Sequence, residues 1–253
     1  MNEKEALVEY CLRIGDTSLI SGQRMSEWCG HAPILEEDIA LTNIALDLIG
    51  QARMLYGYAA QVEGKSRTED DLAYFRDARQ YRNVLLAELP NGDFAMTVAR
   101  QFLLSVYSYH LYTQLCASSD KQLAAFAAKS IKEVAYHVRH FNDWVLRLGD
   151  GTQESHQRLQ EAVNELWNFV DDLFMADEVD QMMEKAKIGA DHNALRAVWE
   201  TTVLKTLADA KITVPAVNNF MRSGSRAGNH TEYLGYVLAE MQSLPRSYPD
   251  AKW

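Results

Sequence analysis

Apolar residues recur at steps of three and four along almost the whole chain, a spacing that only the α-helix brings onto one face. In the first segment the stripe runs through Leu7, Cys11, Ile14, Ser18, Gly22 and Met25. Gly30 and Pro33 then read as a helix end and the opening of the next helix. A second stripe carries Leu41, Ile44, Leu48, Leu55 and Ala59, and a shorter helix is expected around Leu72 to Leu89, with Thr68 and Asp71 resembling a capping box. Pro90-Asn91-Gly92-Asp93 is a turn with Asp93 placed to cap the next helix. Phe94, Val98, Phe102, Val106 and Tyr109 mark that third long helix. After Ser118-Ser119-Asp120, a fourth holds Leu123, Phe126, Ile131, Val134, Val138, Phe141 and Val145. A fifth stripe runs from Leu159 to Phe174, shorter helices are expected near Asn193 to Ala208 and Thr231 to Ser243, and Asp209 to Asn229 reads as a long loop.

With 13 glycines and 5 prolines in 253 residues, and no stretch alternating with period two, a sheet is not expected. Four long helices in two pairs, with further helices after them, suit an all-α, ferritin-like up-and-down helical bundle with additional C-terminal helices. Thiaminase-like and haem-oxygenase-like bundles share this periodicity. No linker or low-complexity run divides the chain, so residues 1–253 are expected to form a single ferritin-like domain. A net charge of -10 without a dense Lys/Arg run argues against nucleic acid as a partner. Cys11, Cys29 and Cys116 are too far apart for a disulfide framework or a zinc site. The opening Met1-Asn2-Glu3-Lys4-Glu5 lacks a signal pattern, and no apolar run approaches the roughly 20 residues that span a bilayer. A cytoplasmic protein with no membrane partner is expected.

A family becomes recognisable at Gln23-Arg24-Met25-Ser26-Glu27-Trp28-Cys29-Gly30-His31-Ala32-Pro33 and continues through Ala45-Leu46-Asp47-Leu48-Ile49-Gly50-Gln51-Ala52-Arg53. Pro90-Asn91-Gly92, Ile131-Lys132-Glu133 with Tyr136-His137, Gly228-Asn229-His230-Thr231-Glu232, Ala239-Glu240-Met241-Gln242 and Trp253 follow in order. The chain resembles, over essentially its whole length, the C subunits of phenylacetyl-CoA epoxidases, the multicomponent ring 1,2-epoxidases of aerobic phenylacetate degradation. The resemblance implies a structural subunit that pairs with a homologous di-iron catalytic subunit. A separate bridging subunit, together with a reductase, completes the system, and phenylacetyl-CoA is the substrate. It also implies substrate contacts at Gln80, Tyr81, Arg82 and Asn83, and at Gln181, Met182 and Met183 after Asp177-Glu178-Val179-Asp180. Arg82 departs from the small residue of the family pattern.

A carboxylate-bridged di-iron centre needs one Glu from each of two helices and Glu-x-x-His from each of two others. On the first helix the stripe passes through Ser18. On the second, the Glu-x-x-His register falls on Leu48-Ile49-Gly50-Gln51, and Asp47 is turned about 100 degrees from it. The third offers Ser105. The fourth register is Val134-Ala135-Tyr136-His137, which keeps an imidazole and loses the carboxylate. Glu133 and His137, four apart, read as a buried histidine bonded to its carboxylate; the alternative is a residual mononuclear site. No metal, no cofactor and no catalytic residue are therefore expected in this chain, the di-iron centre belonging to the partner. Carboxylates facing a core without cations cost several kcal/mol each, so small or apolar groups fit a metal-free bundle.

Arg76, Arg79 and Arg82, spaced by three, are expected to share a helix face, either solvated or turned to a phosphate or partner. A capping or packing role is expected for His31. Two rival readings stay open: a self-sufficient ferritin-like metalloenzyme, and a helical small-molecule-binding protein without partners.

Overall fold

Side-chain caps divide the chain into helices largely where local chemistry dictates. The computed structural model describes residues 1–215 and 222–251; Trp253, which contributes to the family resemblance, and part of the expected Asp209–Asn229 loop lie outside them. Among the described residues there are α-helices and short 3-10 turns and no strand. The helices are α1 (Glu3–Ser26), α2 (Leu35–Glu63), α3 (Glu69–Tyr74), α4 (Leu85–Glu88), α5 (Phe94–Leu115), α6 (Lys121–Gly149), α7 (Gln153–Leu166), α8 (Glu178–Lys185), α9 (His192–Asp209) and α10 (Glu232–Ser247). None is long and apolar enough to cross a membrane. The all-α, ferritin-like class expected from periodicity holds.

Asn2 and Glu5 form a reciprocal capping box on α1, and Thr68 with Asp71 does the same for α3, as expected. Asp93 accepts the Met96 N–H at 2.9 Å and Asp120 the Leu123 N–H at 2.8 Å, each satisfying a backbone donor that a helix start leaves over. Gly64 ends α2 in the left-handed conformation that costs glycine nothing. Gly30 is also left-handed, but α2 begins only at Leu35, two residues past Pro33.

The chain forms two compact units: residues 1–90 with 224–253, and residues 91–223. In the first, α1 and α2 run antiparallel at glycine contacts. A Cβ on Gly15 would stand 2.9 Å from the Tyr56 ring, and one on Gly22 3.0 Å from Ile49. Leu41, Ile44, Leu55, Ile20 and Met25 fill the seam between them. In the second unit α5 and α6 run antiparallel, with Phe94 edge-on to Trp144 at 4.9 Å and Tyr112 to Phe126 at 5.2 Å. The Trp199 indole of α9 lies in this core and donates to the Leu103 carbonyl at 3.0 Å.

Two expected helices come out differently. The Leu72–Leu89 stretch is not one helix: after α3 the chain passes through a 3-10 turn at Ala78–Gln80 and extended residues before α4. The buried Arg76 side chain takes up the carbonyls of Leu72 and Gln80, which therefore serve a guanidinium rather than continuing a helical ladder. Arg76, Arg79 and Arg82 accordingly share no helix face. The fifth stripe tightens from α7 into a 3-10 stretch at Trp167–Leu173, which ends at Phe174.

Gly228, with φ of 74°, closes the short 3-10 turn Ser225–Ala227; its Cα faces the Arg79 carbonyl so closely that an added Cβ would stand 2.3 Å from that oxygen. Gly228→Ala combines left-handed strain with a backbone clash. It is expected to cost on the order of 2 kcal/mol or more, read as a lower urea midpoint at unchanged m.

Candidate functional site

The residues that the resemblance sets against di-iron ligand positions are all buried. In the first unit Ser18, Leu48 and Gln51 are buried; in the second, Ser105, Val134 and His137 are buried. Ser18, Leu48 and Gln51 offer a hydroxyl, an isobutyl group and an amide, none of them an anionic oxygen or an imidazole. Glu133 is half-buried one turn before His137 on α6. Among the described residues no three or more His, Cys, Asp or Glu side chains gather as a metal ion would require.

The first unit instead concentrates its polarity in a closed network of its own. Asp16, on α1, is fully buried and accepts from the Tyr56 hydroxyl at 2.6 Å, from Arg76 Nη1 at 3.0 Å and from the Arg82 backbone N–H at 2.8 Å; Arg76 Nη2 adds a further bond to the same carboxylate. Arg76 also stacks on the Tyr81 ring, its guanidinium carbon 4.3 Å from the centroid. Burial works against the charge on Arg76, but the Asp16 carboxylate together with Tyr56 and Tyr81 outweighs it and holds the guanidinium protonated. The Tyr56 phenol is pushed well up, first by burial and then by Asp16, and burial also pushes Tyr81 up. Both stay neutral donors. Gln242, reaching in from α10, donates to the Arg76 carbonyl at 2.9 Å and to the Tyr81 hydroxyl at 3.2 Å.

A second buried pair adjoins the first. Glu88 of α4 accepts from Asn83 Nδ2 at 2.7 Å and from the Thr231 N–H at 2.5 Å, and lies 2.8 Å from His230 Nδ1. His230 Nε2 faces the Tyr81 carbonyl at 2.9 Å. Both ring nitrogens thus meet acceptors, an arrangement that only the imidazolium satisfies fully. Burial lowers the His230 pKa, but the Glu88 bond and charge and the Tyr81 carbonyl together raise it above the ordinary value. Arg24 of α1 donates to the Glu88 carbonyl at 2.9 Å. These groups consume one another's hydrogen bonds, and the arrangement braces α1, α2, the 72–89 segment and α10 rather than presenting a reactive group.

The expected substrate-contact residues divide between the units. In the first, Tyr81 and Asn83 point inward, the Tyr81 hydroxyl to the Ala73 carbonyl and Asn83 to Glu88. Gln80 is exposed and accepts from the Asp77 N–H at 2.8 Å; Arg82 is half-buried and pairs with Glu9 at 2.9 Å. In the second, Asp177 caps α8, leaving Gln181 exposed, Met182 half-buried and Met183 in the core. The cleft beside Tyr56, lined by Leu19, Ile49, Arg53, Glu69 and Tyr74, measures about 260 Å³. That falls below the roughly 300 Å³ at which pockets for drug-sized ligands begin, and a CoA thioester is larger still. His31 is exposed in the turn between α1 and α2, its N–H bonded to the Trp28 carbonyl at 2.8 Å.

Sequence spacing does not mark Asp16, Arg76, Glu88 and His230 as a set because their partners lie far apart along the chain: 60 residues separate Asp16 from Arg76 and 142 separate Glu88 from His230. Arg76→Leu should cost about 3–5 kcal/mol by stranding the Asp16 carboxylate, with Asp16→Leu added to it recovering part of the loss; urea titration of the three variants checks this. The His230 contribution has a definite sign. A folded-state pKa raised above 6.5 stabilises fully below that value and is lost as pH rises through the folded pKa. Stability should therefore fall from about pH 6.5 upward, and His230→Gln should flatten that slope.

A family described as phenylacetic acid catabolic protein matches residues 1–253. The C subunit of the 1,2-phenylacetyl-CoA epoxidase of Escherichia coli (strain K12) is 49% identical over 247 residues, covering 98% of this chain and 99% of that protein. With a match across its full length and a relative of this identity, the chain belongs to the phenylacetic acid catabolic protein family.

Proposed function

We propose that this chain is the structural, non-catalytic subunit of a phenylacetyl-CoA ring 1,2-epoxidase in aerobic phenylacetate degradation. The single observation that carries the reading is its near full-length likeness to a protein named as the C subunit of that enzyme. The buried Ser18, Leu48, Gln51, Ser105 and Val134 support the non-catalytic half of it, since none supplies a carboxylate or imidazole. In this reading the di-iron centre belongs to a homologous catalytic subunit, with a bridging subunit plus a reductase as further partners in the cytoplasm. The chain itself binds no cofactor.

Its part in the reaction is positional. The glycine-tight α1–α2 pair and the Asp16–Arg76 and Glu88–His230 braces give a stiff surface that keeps the helices of a catalytic partner in register, and sub-ångström placement is worth large factors in rate. Proposed contacts with phenylacetyl-CoA fall on Gln80–Asn83 and Gln181–Met183. Gln80, Arg82, Gln181 and Met182 supply the outward side chains, and buried Tyr81, Asn83 and Met183 hold the backbone beneath them.

Co-expression with the catalytic and bridging partners tests the proposal. The chain is expected to co-purify with the catalytic one, and omitting it should abolish most epoxidation. Iron should track the catalytic partner, while the chain purified alone from iron-replete cells should hold far less than one iron. Undiminished activity without the chain, or near-stoichiometric iron within it, overturns the reading.

A further inference from the structure

Two side chains share the Tyr81 carbonyl. Arg82 Nη1 donates to it at 2.8 Å and His230 Nε2 faces it at 2.9 Å, so both lone pairs of one oxygen are engaged. The rest of the Arg82 fork is fixed as well. Nη1 also reaches the Arg79 carbonyl at 2.7 Å, and Nε pairs with Glu9 at 2.9 Å. Nη2 bonds to no described residue, and the side chain is 22% exposed. The guanidinium is therefore held along one edge and offers the other to an oxygen acceptor from outside. Gly228 and His230 close on this stretch together. A Cβ on Gly228 would stand 2.8 Å from Arg82 Nη1, so a bare Cα is what lets the guanidinium lie there. The His230 side chain, 5% exposed, is anchored by the Glu88 oxygen that also takes Asn83.

We infer that His230 is a positioning residue for substrate binding: through the Tyr81 carbonyl it sets where Arg82 presents Nη2 to an oxygen of the acyl-CoA. The assignment rests on the reading of Gln80–Asn83 as substrate contacts. An imidazolium donates from both ring nitrogens, to Glu88 and to Tyr81. A neutral ring donates only once, so a lone pair then faces either the Glu88 carboxylate or the Tyr81 carbonyl. Either repulsion moves the ring off its seat, and the Tyr81 carbonyl turns with the Arg82 bond it carries. The groups around His230 are Glu88 from α4, Tyr81 from the stretch between α3 and α4, Asp16 of α1 through space, and Arg24 of α1 behind the Glu88 carbonyl. Burial keeps the Tyr81 phenol protonated, and its hydroxyl is turned to Ala73. The balance raises the His230 pKa above 6.5, so Arg82 is fully held below that value and released as pH rises through the folded-state pKa.

The test uses the complete complex, with KM for phenylacetyl-CoA and kcat followed from about pH 6 to about pH 9. The wild-type KM should rise with pH while kcat changes less. His230→Gln donates once at every pH, so it should raise KM roughly threefold or more at the acid end and remove this dependence. A titration of the substrate itself would persist in that variant. Arg82→Gln should raise KM too, and adding His230→Gln to it should change little further, since both act through one contact. In the chain alone, the Arg82 Nε resonance should move with the midpoint of the His230 ring, an NMR readout that needs no substrate. Should His230→Gln fail to assemble, the wild-type KM profile and this resonance still decide. A KM indifferent to Arg82→Gln overturns the contact reading and the His230 assignment with it. A KM that answers to Arg82→Gln but not to His230→Gln or to pH overturns the His230 assignment alone, as does an Arg82 resonance that ignores the His230 titration.

Discussion

The first unit is organised around a carboxylate that water does not reach. Asp16 sits in the middle of α1 with no exposed surface, and an isolated charge there would cost far more than the unit's margin of stability. Its compensation comes from three places: Tyr56 on α2, Arg76 beyond α3 and the backbone of Arg82. Each constrains its own element. Tyr56 reaches Asp16 because Gly15 lets its ring lie against α1. Arg76 must be brought inside, and its remaining donors claim the Leu72 and Gln80 carbonyls, so this stretch is shaped by one side chain.

How much of the fold can be read from the sequence depends on the range of the interaction. Caps are local, and Thr68 with Asp71 and Asp93 before Phe94 do in the structure what their spacing implies. The apolar stripes of α1, α2, α5 and α6 are local too, and most of their residues lie on the buried faces, while Phe94 and Tyr109 of α5 and Ile131 and Val138 of α6 are half-buried. Arg76, Arg79 and Arg82 mislead for the opposite reason. Their spacing is that of a helix face, but the anion that decides Arg76 belongs to another helix and leaves no trace in the neighbouring residues. His230 is visible within a family motif, though its role is not: the motif does not contain Glu88.

The same electrostatic rule accounts for where polarity is missing and where it is dense. At Ser18, Leu48 and Val134 the interior offers small or apolar groups, which need no cation opposite them. At two of the buried carboxylates, Asp16 and Glu88, a cationic side chain and backbone or side-chain amides stand opposite the charge. The charges at Asp16 and Glu88 are structural because they are already neutralised.

The first unit is also discontinuous in sequence: residues 1–90 are completed only by residues from 224 onward, with the whole of the second unit made in between. Gln242 and His230 both belong to that late segment, yet they satisfy groups on Arg76, Tyr81 and Glu88. During synthesis the early helices must wait with Glu88 facing no imidazole, while the second unit, contiguous in the chain, has all it needs to close. Because these residues are made last, the network around Arg76, Tyr81 and Glu88 can be completed only after the second unit has been synthesised. Chains truncated before His230 would be exposed to proteases in their first ninety residues, far from the cut.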